Sequence, residues 1–370
     1  MSVLRFSGVV SVLVALIVVL ACGTRSRQPE IEKSEQSTPK THAVHFYVAN
    51  SGDGDHTVNV IDHSTRSVIA TIDVGGQPHG SAPVSTGDRV LVTLEDIPEV
   101  IAIDTHTHDI LWRAPVAPNP DPRMPVTRLN EPSLVLDDRV LYVPDVAGQR
   151  QVVLDTRRGE MIRQVPMIDP ADGTGMTAPH NTYASADGRW VFATSIFSKK
   201  IAKIDAETGR IVRVYSLTGQ PRPAALRDDL EKMYVQFSQL HGFVELDLTS
   251  GEETARITWP EARESPDSFT KCHGIGIRPD QKQLWAASNI DGKVYAYSLP
   301  ELRPLGSVFV GNLPNWVAFT PDSRFVYVTT QEEEKPHGKV TVIDTGNLSV
   351  VSVIEVGRRP KRIHGAKVPL

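Results

Sequence analysis

The chain has 370 residues, of which 40% are hydrophobic and 22% charged, values typical of a globular protein that exclude general disorder and a polytopic membrane protein. The formal net charge of −5 argues against nucleic acid as a partner, because neutralising phosphates requires a basic surface. The two cysteines exclude a disulfide-dense scaffold and any multi-cysteine zinc or iron–sulfur site.

Residues 1–21 are predicted to be a signal peptide. Arg5 supplies a positive charge, and the apolar run from Val9 to Ala21 is interrupted only by Ser11. This run is shorter than the roughly 20 apolar residues that cross a membrane as a helix. The segment is therefore set aside from the folded domain as a targeting element.

The sequence Val19-Leu20-Ala21-Cys22-Gly23 resembles a bacterial lipobox, in which cleavage precedes the cysteine and its sulfur receives a diacylglyceryl group. We expect an exported protein whose lipidated Cys22 anchors it to a bacterial membrane, on the periplasmic side or at the cell surface. The alternative is an ordinary signal peptide cleaved after Ala21 or Gly23. Residues 22–42 are predicted to be the lipidated cysteine and a flexible polar tether.

From residue 43 to residue 370, one unit recurs seven times. A strand-ending position recurs every 42 to 51 residues, which is the length of a propeller blade. It is occupied by Asp62, Asp104, Asp155, Asp205, Asp247, Ser298 and Asp344.

Each unit reads as four short strands, in which Val, Ile, Tyr and Phe alternate with polar residues and Gly, Pro and Asp mark the turns. No stretch has a helical period. The sequence therefore predicts an all-β, seven-bladed β-propeller over 43–370. The first unit lacks an inner strand, and the chain ends with an inner-strand opening over 357–365, so we expect the C-terminal strand to complete the first blade.

The units resemble the YVTN-type β-propeller repeat across 43–370, most clearly at Tyr47-Val48-Ala49-Asn50 and Tyr327-Val328-Thr329-Thr330. The wider group that the chain resembles includes cytochrome d1-type propellers, a lactonase-like family and surface-layer binding proteins. This resemblance implies the fold and leaves the function open.

The first residues of the inner strands of a propeller line one mouth of its central channel. Three histidines fall at this position in blades two, four and six, and neutral imidazoles are ligands of zinc, copper and iron. The aligned residues are His79, Asn130, His180, Arg222, His273, Asn315 and Lys361. His364 could add a fourth nitrogen deeper in the channel, whereas Cys272 should pack between blades. A metal or haem-like ligand role, a polar pocket without metal and a structural channel lining all remain open.

Arg222 and Lys361 suggest an anionic small ligand, because a guanidinium matches the geometry of carboxylate and phosphate. The alternative is that Arg222 pairs with a nearby acid such as Glu131. Long loops at 117–129, 166–178 and 260–271 should lie at the same mouth, and long loops are commonly functional. Their candidate residues are Asp169, Asp172, Met176, Glu261, Glu264 and Asp267.

Three functions compete. The first is a membrane-anchored binding propeller that holds a ligand or protein partner at the histidine-ringed mouth. The second is an oxidoreductase or cofactor-maturation protein that uses the channel histidines with copper, iron, zinc or, as the d1 resemblance implies, a non-covalent haem-like tetrapyrrole; CxxCH is absent. The third is a lactonase-like hydrolase, although the ring contains no acidic cluster. The sequence has no GxSxG, phosphate loop or HExxH, and no serine is marked as a nucleophile.

Overall fold

The computed structural model describes residues 42–116, 127–260, 270–332 and 336–370. These residues form seven four-stranded antiparallel sheets, which confirms the predicted seven-bladed β-propeller. The predicted signal peptide, Cys22, almost all of the tether, and Glu261, Glu264 and Asp267 lie outside the described ranges. Within those ranges, no helix has the length and hydropathy needed to cross a membrane.

Each blade runs outward from the central channel through four strands, numbered here in chain order. The inner strands are β4 (Pro78–Pro83), β8 (Ser133–Val135), β12 (Pro179–Ala184), β16 (Pro221–Leu226), β20 (Cys272–Ile277), β24 (Pro314–Phe319) and β28 (Pro360–Pro369). The second strands are β1 (His42–Asn50), β5 (Arg89–Leu94), β9 (Val140–Asp145), β13 (Trp190–Ser195), β17 (Lys232–Phe237), β21 (Gln283–Ser288) and β25 (Phe325–Thr330).

The two outer layers complete each sheet. The third strands are β2 (Thr57–Asp62), β6 (Glu99–Asp104), β10 (Arg150–Asp155), β14 (Lys200–Asp205), β18 (Gly242–Asp247), β22 (Lys293–Ser298) and β26 (Gly338–Asp344). The outer strands are β3 (Ser67–Asp73), β7 (Ile110–Pro115), β11 (Met161–Pro166), β15 (Ile211–Ser216), β19 (Glu253–Thr258), β23 (Pro304–Phe309) and β27 (Ser349–Val356).

The residue that ends the third strand is an aspartate in every blade except the sixth, which has Ser298, and it shapes the turn that follows. The Asp62 carboxylate accepts a hydrogen bond from the Thr65 backbone N–H at 2.7 Å, and Asp104 accepts one from the Thr107 N–H at 2.9 Å. A short acidic side chain that binds backbone N–H groups two or three residues ahead favours a tight turn. This explains why the repeat is visible in the sequence.

The ring closes as predicted. Strand β28 pairs with β1 in antiparallel register from His42 opposite Pro369 to Asn50 opposite Pro360. Both chain ends of the propeller therefore share the first blade, and β28 covers the inner edge of β1. The core comprises seven apolar clusters, each between two neighbouring blades.

Six of the seven inner strands share a one-residue register shift close to their first residue; only the short strand β8 lacks it. A bulge places two residues of one strand opposite a single residue of its partner and re-aims their side chains. As a result, consecutive residues near the start of an inner strand can both reach the channel.

Candidate functional site

The residues aligned from the sequence lie together at the end of the channel where the inner strands begin, which we call the histidine end. Six of them are the second residues of their strands, and Asn130 lies just before β8. The ring centroids of His79 and His180 are 6.2 Å apart with the planes at 90°. We call these seven residues the channel ring: His79, Asn130, His180, Arg222, His273, Asn315 and Lys361.

The three ring histidines are neutral. Burial lowers the pKa of His79, His180 and His273 well below the ordinary value of 6.5, and the neighbouring cation Arg362 contributes to each shift. His273 Nδ1 lies 3.0 Å from the Asn315 carbonyl oxygen, which can only accept, so the proton sits on Nδ1. His79 is 4% exposed, and its Nδ1 has no hydrogen-bond partner.

Two buried carboxylates, Glu95 and Glu131, form ion pairs with basic side chains at the histidine end. Lys361 Nζ lies 2.8 Å from Glu95 Oε2, and Arg128 Nε donates to Glu95 Oε1 at 2.6 Å. Arg362 Nε donates to Glu131 Oε2 at 3.1 Å. Glu131 thus binds Arg362 rather than Arg222, so the partner considered for Arg222 was wrong.

Arg362 is the main residue that sequence reasoning missed. It is 1% exposed, its guanidinium lies 4.0 Å from the Trp316 ring centroid, and its Nη1 donates to Asn315 Oδ1 at 3.2 Å. Its Nη2 is buried without a hydrogen-bond partner. Alternation along a strand would turn Arg362 away from the side that Lys361 occupies, and the bulge in β28 removes that constraint.

Arg222 is also available for a ligand. Its Nε donates to Ser238 Oγ at 2.8 Å, and it forms no ion pair with a described residue. Burial, together with Arg362, lowers the pKa of Arg222 below its ordinary value. The site therefore contains four cations, Arg128, Arg222, Lys361 and Arg362, against the two carboxylates Glu95 and Glu131.

His364 lies apart from the ring histidines. Its Nε2 is 3.0 Å from Glu131 Oε1 and its Nδ1 is 2.9 Å from Ser81 Oγ. Cys272 packs between blades as expected, fully buried, with its sulfur 3.2 Å from the Gly242 nitrogen.

No three His, Cys, Asp or Glu side chains in the described part of the chain gather closely enough to hold a metal ion. The metal role of His79, His180, His273 and His364 stays a prediction. Elemental analysis and a visible absorption spectrum of the purified protein test it, and they test the haem-like alternative at the same time.

The loop over 166–178 uses its candidate residues for structure. Asp169 binds Lys200 Nζ at 2.6 Å, and Met176 is fully buried in an apolar cluster. Asp172 lies 3.7 Å from the same Lys200 nitrogen. These contacts hold the loop against blade four. The side chains of Asp169, Asp172 and Met176 therefore already have partners within the fold.

The model of the PQQ_2 family, described as "Outer membrane protein assembly factor BamB", matches residues 54–301. Antigen Lp49 of Leptospira interrogans is 27% identical over 184 residues, which are 46% of this chain and 39% of that protein. The chain therefore matches well under half the length of this relative.

Solved structures share the fold at low identity. Dihydro-heme d1 dehydrogenase NirN, in complex with DHE, superposes with a TM-score of 0.61 at 16% identity, covering 88% of this chain and 75% of its own. Hydrazine synthase of Kuenenia stuttgartiensis gives 0.66 at 18%, covering 86% and 99%. A candidate 6-phosphogluconolactonase of Bacteroides fragilis gives 0.66 at 15%, covering 90% and 99%.

Proposed function

Because this chain belongs to the PQQ_2 propeller family, described as the outer membrane protein assembly factor BamB, we propose that it is an extracytoplasmic, membrane-anchored β-propeller that binds an anionic small ligand at its channel ring. The anchor is the acylated Cys22, so the membrane is its first partner. The family description and the antigen relative are consistent with an extracytoplasmic location. A protein partner at the same end of the channel is compatible with this proposal.

The observation that carries the ligand proposal is the buried guanidinium of Arg362, whose Nη2 has no hydrogen-bond partner among the described residues. Leaving a buried charged donor without a hydrogen bond costs free energy. An acceptor supplied by a ligand removes that cost. His79 Nδ1 is a second buried atom of this kind in the same site, so two polar groups there lack partners before any ligand binds.

The charges indicate the chemistry of the ligand. Arg222, which has no acidic partner among the described residues, and Arg362 both present planar guanidinium groups suited to paired oxygens. The neutral histidines add hydrogen bonds without further charge. A carboxylate or phosphate ligand fits this combination, and a cationic ligand does not.

The test is calorimetric titration with succinate, citrate and inorganic phosphate, supported by the rise in melting temperature that a ligand of the native state produces. We expect Arg222→Gln to weaken the best of these anions roughly 10- to 100-fold, because a hydrogen bond to a charged group contributes about 1.5–3 kcal/mol. The substitution removes the charge and keeps much of the side-chain volume.

Arg210→Gln is the matched control, because Arg210 is exposed on a turn at the opposite end of blade four. It should leave the affinity unchanged. The anion-binding proposal is wrong if none of the three anions binds, or if Arg222→Gln and Arg210→Gln bind equally well.

A further inference from the structure

A second cavity opens at the other end of the channel, where the inner strands end; we call this the far end. It has a volume of about 590 Å³, within the range of about 300–1,000 Å³ that is typical of small-molecule sites. The later residues of several inner strands line it, including Pro83, Leu134, Leu226 and Ile277. No lysine or arginine is among the described residues that line it.

Three polar side chains meet in the wall of this cavity. Ser81 Oγ lies 2.9 Å from His364 Nδ1, and His364 Nε2 lies 3.0 Å from Glu131 Oε1. All three residues line the cavity. They come from three blades: Ser81 from β4, His364 from β28, and Glu131 from the residues before β8.

The acceptor chemistry fixes the proton positions. An ionised carboxylate only accepts hydrogen bonds, so His364 Nε2 carries a proton and donates it to Glu131. When Nδ1 carries no proton, it accepts the hydrogen bond that the Ser81 hydroxyl donates, which is the arrangement that a general base needs. Arg362 Nε donates a hydrogen bond to the other Glu131 oxygen at 3.1 Å, so both carboxylate oxygens are held in place.

We propose that Ser81 is the nucleophile and His364 the general base of an esterase site that faces the far-end cavity, with Glu131 as the residue that positions His364. The order of contacts, hydroxyl to imidazole to carboxylate, is that of a serine hydrolase, with the two ring nitrogens in exchanged roles. Triads are recognised by geometry and roles rather than by position in the chain.

The chemical steps balance within these residues, the substrate and water. Ser81 Oγ attacks the ester carbonyl carbon while its proton passes to His364 Nδ1. The carbon–oxygen bond to the alcohol breaks, the alcohol leaves with that proton, and an acyl ester remains on Ser81. A water then attacks this ester, again giving a proton to His364, and the proton returns to Ser81 Oγ as the carboxylic acid departs.

The lining selects the substrate class. Aliphatic side chains dominate the wall, and the ionisable groups in it are Glu131, His364 and Asp228. An anionic ester would meet two carboxylates there and no basic side chain apart from the histidine. The cavity therefore fits a neutral carboxylic ester with an apolar acyl or alcohol group, unlike the anionic ligand proposed for the channel ring.

The experiment uses the full chain with an alkyl fluorophosphonate, which reacts with activated serines, and p-nitrophenyl butyrate as the ester. Peptide mass spectrometry should place the phosphonate adduct on Ser81. His364→Gln can keep both hydrogen bonds but cannot act as a base. It should slow labelling and ester hydrolysis by about 10²-fold or more.

His337→Gln is the matched control, because it makes the same change at an exposed histidine that is not among the described lining residues of this cavity. It should label Ser81 at the wild-type rate. Melting temperatures confirm that each variant is folded. The esterase proposal is overturned if Ser81 stays unlabelled, if another serine carries the adduct, or if folded His364→Gln reacts as fast as wild type.

Discussion

The three neutral histidines of the channel ring tie the stability of the propeller to pH. Their folded pKa values lie well below the ordinary 6.5, because burial disfavours the charged imidazolium. Below pH 6.5 the unfolded chain therefore binds more protons than the native state, so stability falls as pH falls through that range. Above about pH 7 both states are neutral at these sites and the effect disappears.

We predict that the melting temperature declines between pH 7.5 and pH 5, and that combined His79→Gln, His180→Gln and His273→Gln makes this decline shallower. Each buried histidine contributes up to about 1.4 kcal/mol per pH unit below its unfolded pKa. Thermal unfolding at each pH measures the difference. The decline should not vanish, because burial also lowers the pKa of His45, His63 and His108.

The exposed His337 provides the control for this series. His337→Gln should leave the pH dependence as it is in the wild type. If the triple variant loses stability with falling pH as steeply as the wild type, the ring histidines are not the groups that take up protons on unfolding.

Residue positions could be predicted from the sequence only as far as the repeat extends. Alignment of the units located the second residue of each inner strand, and hence the ring histidines. It could not find the contact of Ser81 with His364, because these residues are 283 positions apart and meet only when the last strand closes the ring. Arg362 was missed because a bulge, which no residue type in the repeat announces, re-aims it.

At the scale of elements, neighbouring inner strands lie close together beside two of the ring histidines. A Cβ on Gly80, next to His79, would lie 2.7 Å from Glu131 Oε2. A Cβ on Gly274, next to His273, would lie 2.5 Å from the Asn315 carbonyl oxygen. Gly274 also has a φ of 101°, which other residues rarely adopt. The glycines thus allow the strands to gather around the ring, a role that appears only when neighbouring blades are seen together.

The closing strand β28 was predictable because the first unit lacked an inner strand and the last segment supplied one. The contribution of β28 to the stability of the fold comes from buried residues such as Ile363. This side chain is 0% exposed and packs with Phe46 and Tyr327 between blades one and seven. We predict that Ile363→Ala lowers the free energy of unfolding by about 2–5 kcal/mol. Denaturant unfolding followed by circular dichroism measures the change.

Val353→Ala is the comparison for this closing strand. Val353 lies on outer strand β27 of blade seven and is 56% exposed, so its truncation should change stability by no more than about 0.5 kcal/mol. Equal effects of the two substitutions would show that the ring does not depend on the buried face of β28.

At the scale of the whole molecule, the negative net charge of the chain does not predict the charge of the side chains at its channel. The chain carries −5 overall, whereas four cations at the histidine end, of which Arg362 is fully buried, face two carboxylates. Among the residues that the structure describes, His364 is the one basic side chain in the lining of the far-end cavity. The two ends of one channel therefore suit ligands of different charge. The net charge is a sum over all residues, so it does not show this difference.

Anchoring is the property of the whole molecule that Cys22 should control. Each buried methylene of an acyl chain contributes about 0.8 kcal/mol, so a diacylated cysteine holds a protein stably on a membrane where a single chain would not. We predict that the wild type sediments with membranes and partitions into Triton X-114, and that Cys22→Ala appears in the soluble fraction. Labelling with radioactive palmitate should follow the same pattern.

The second cysteine makes the control for the anchor direct. Cys272 is fully buried between blades, so Cys272→Ala should stay with the membrane and retain the palmitate label even if the propeller loses some stability. A Cys22→Ala protein that remains in the membrane fraction would mean that the propeller itself binds there. A wild type without palmitate would favour the ordinary signal peptide, cleaved after Ala21 or Gly23, as the route of export.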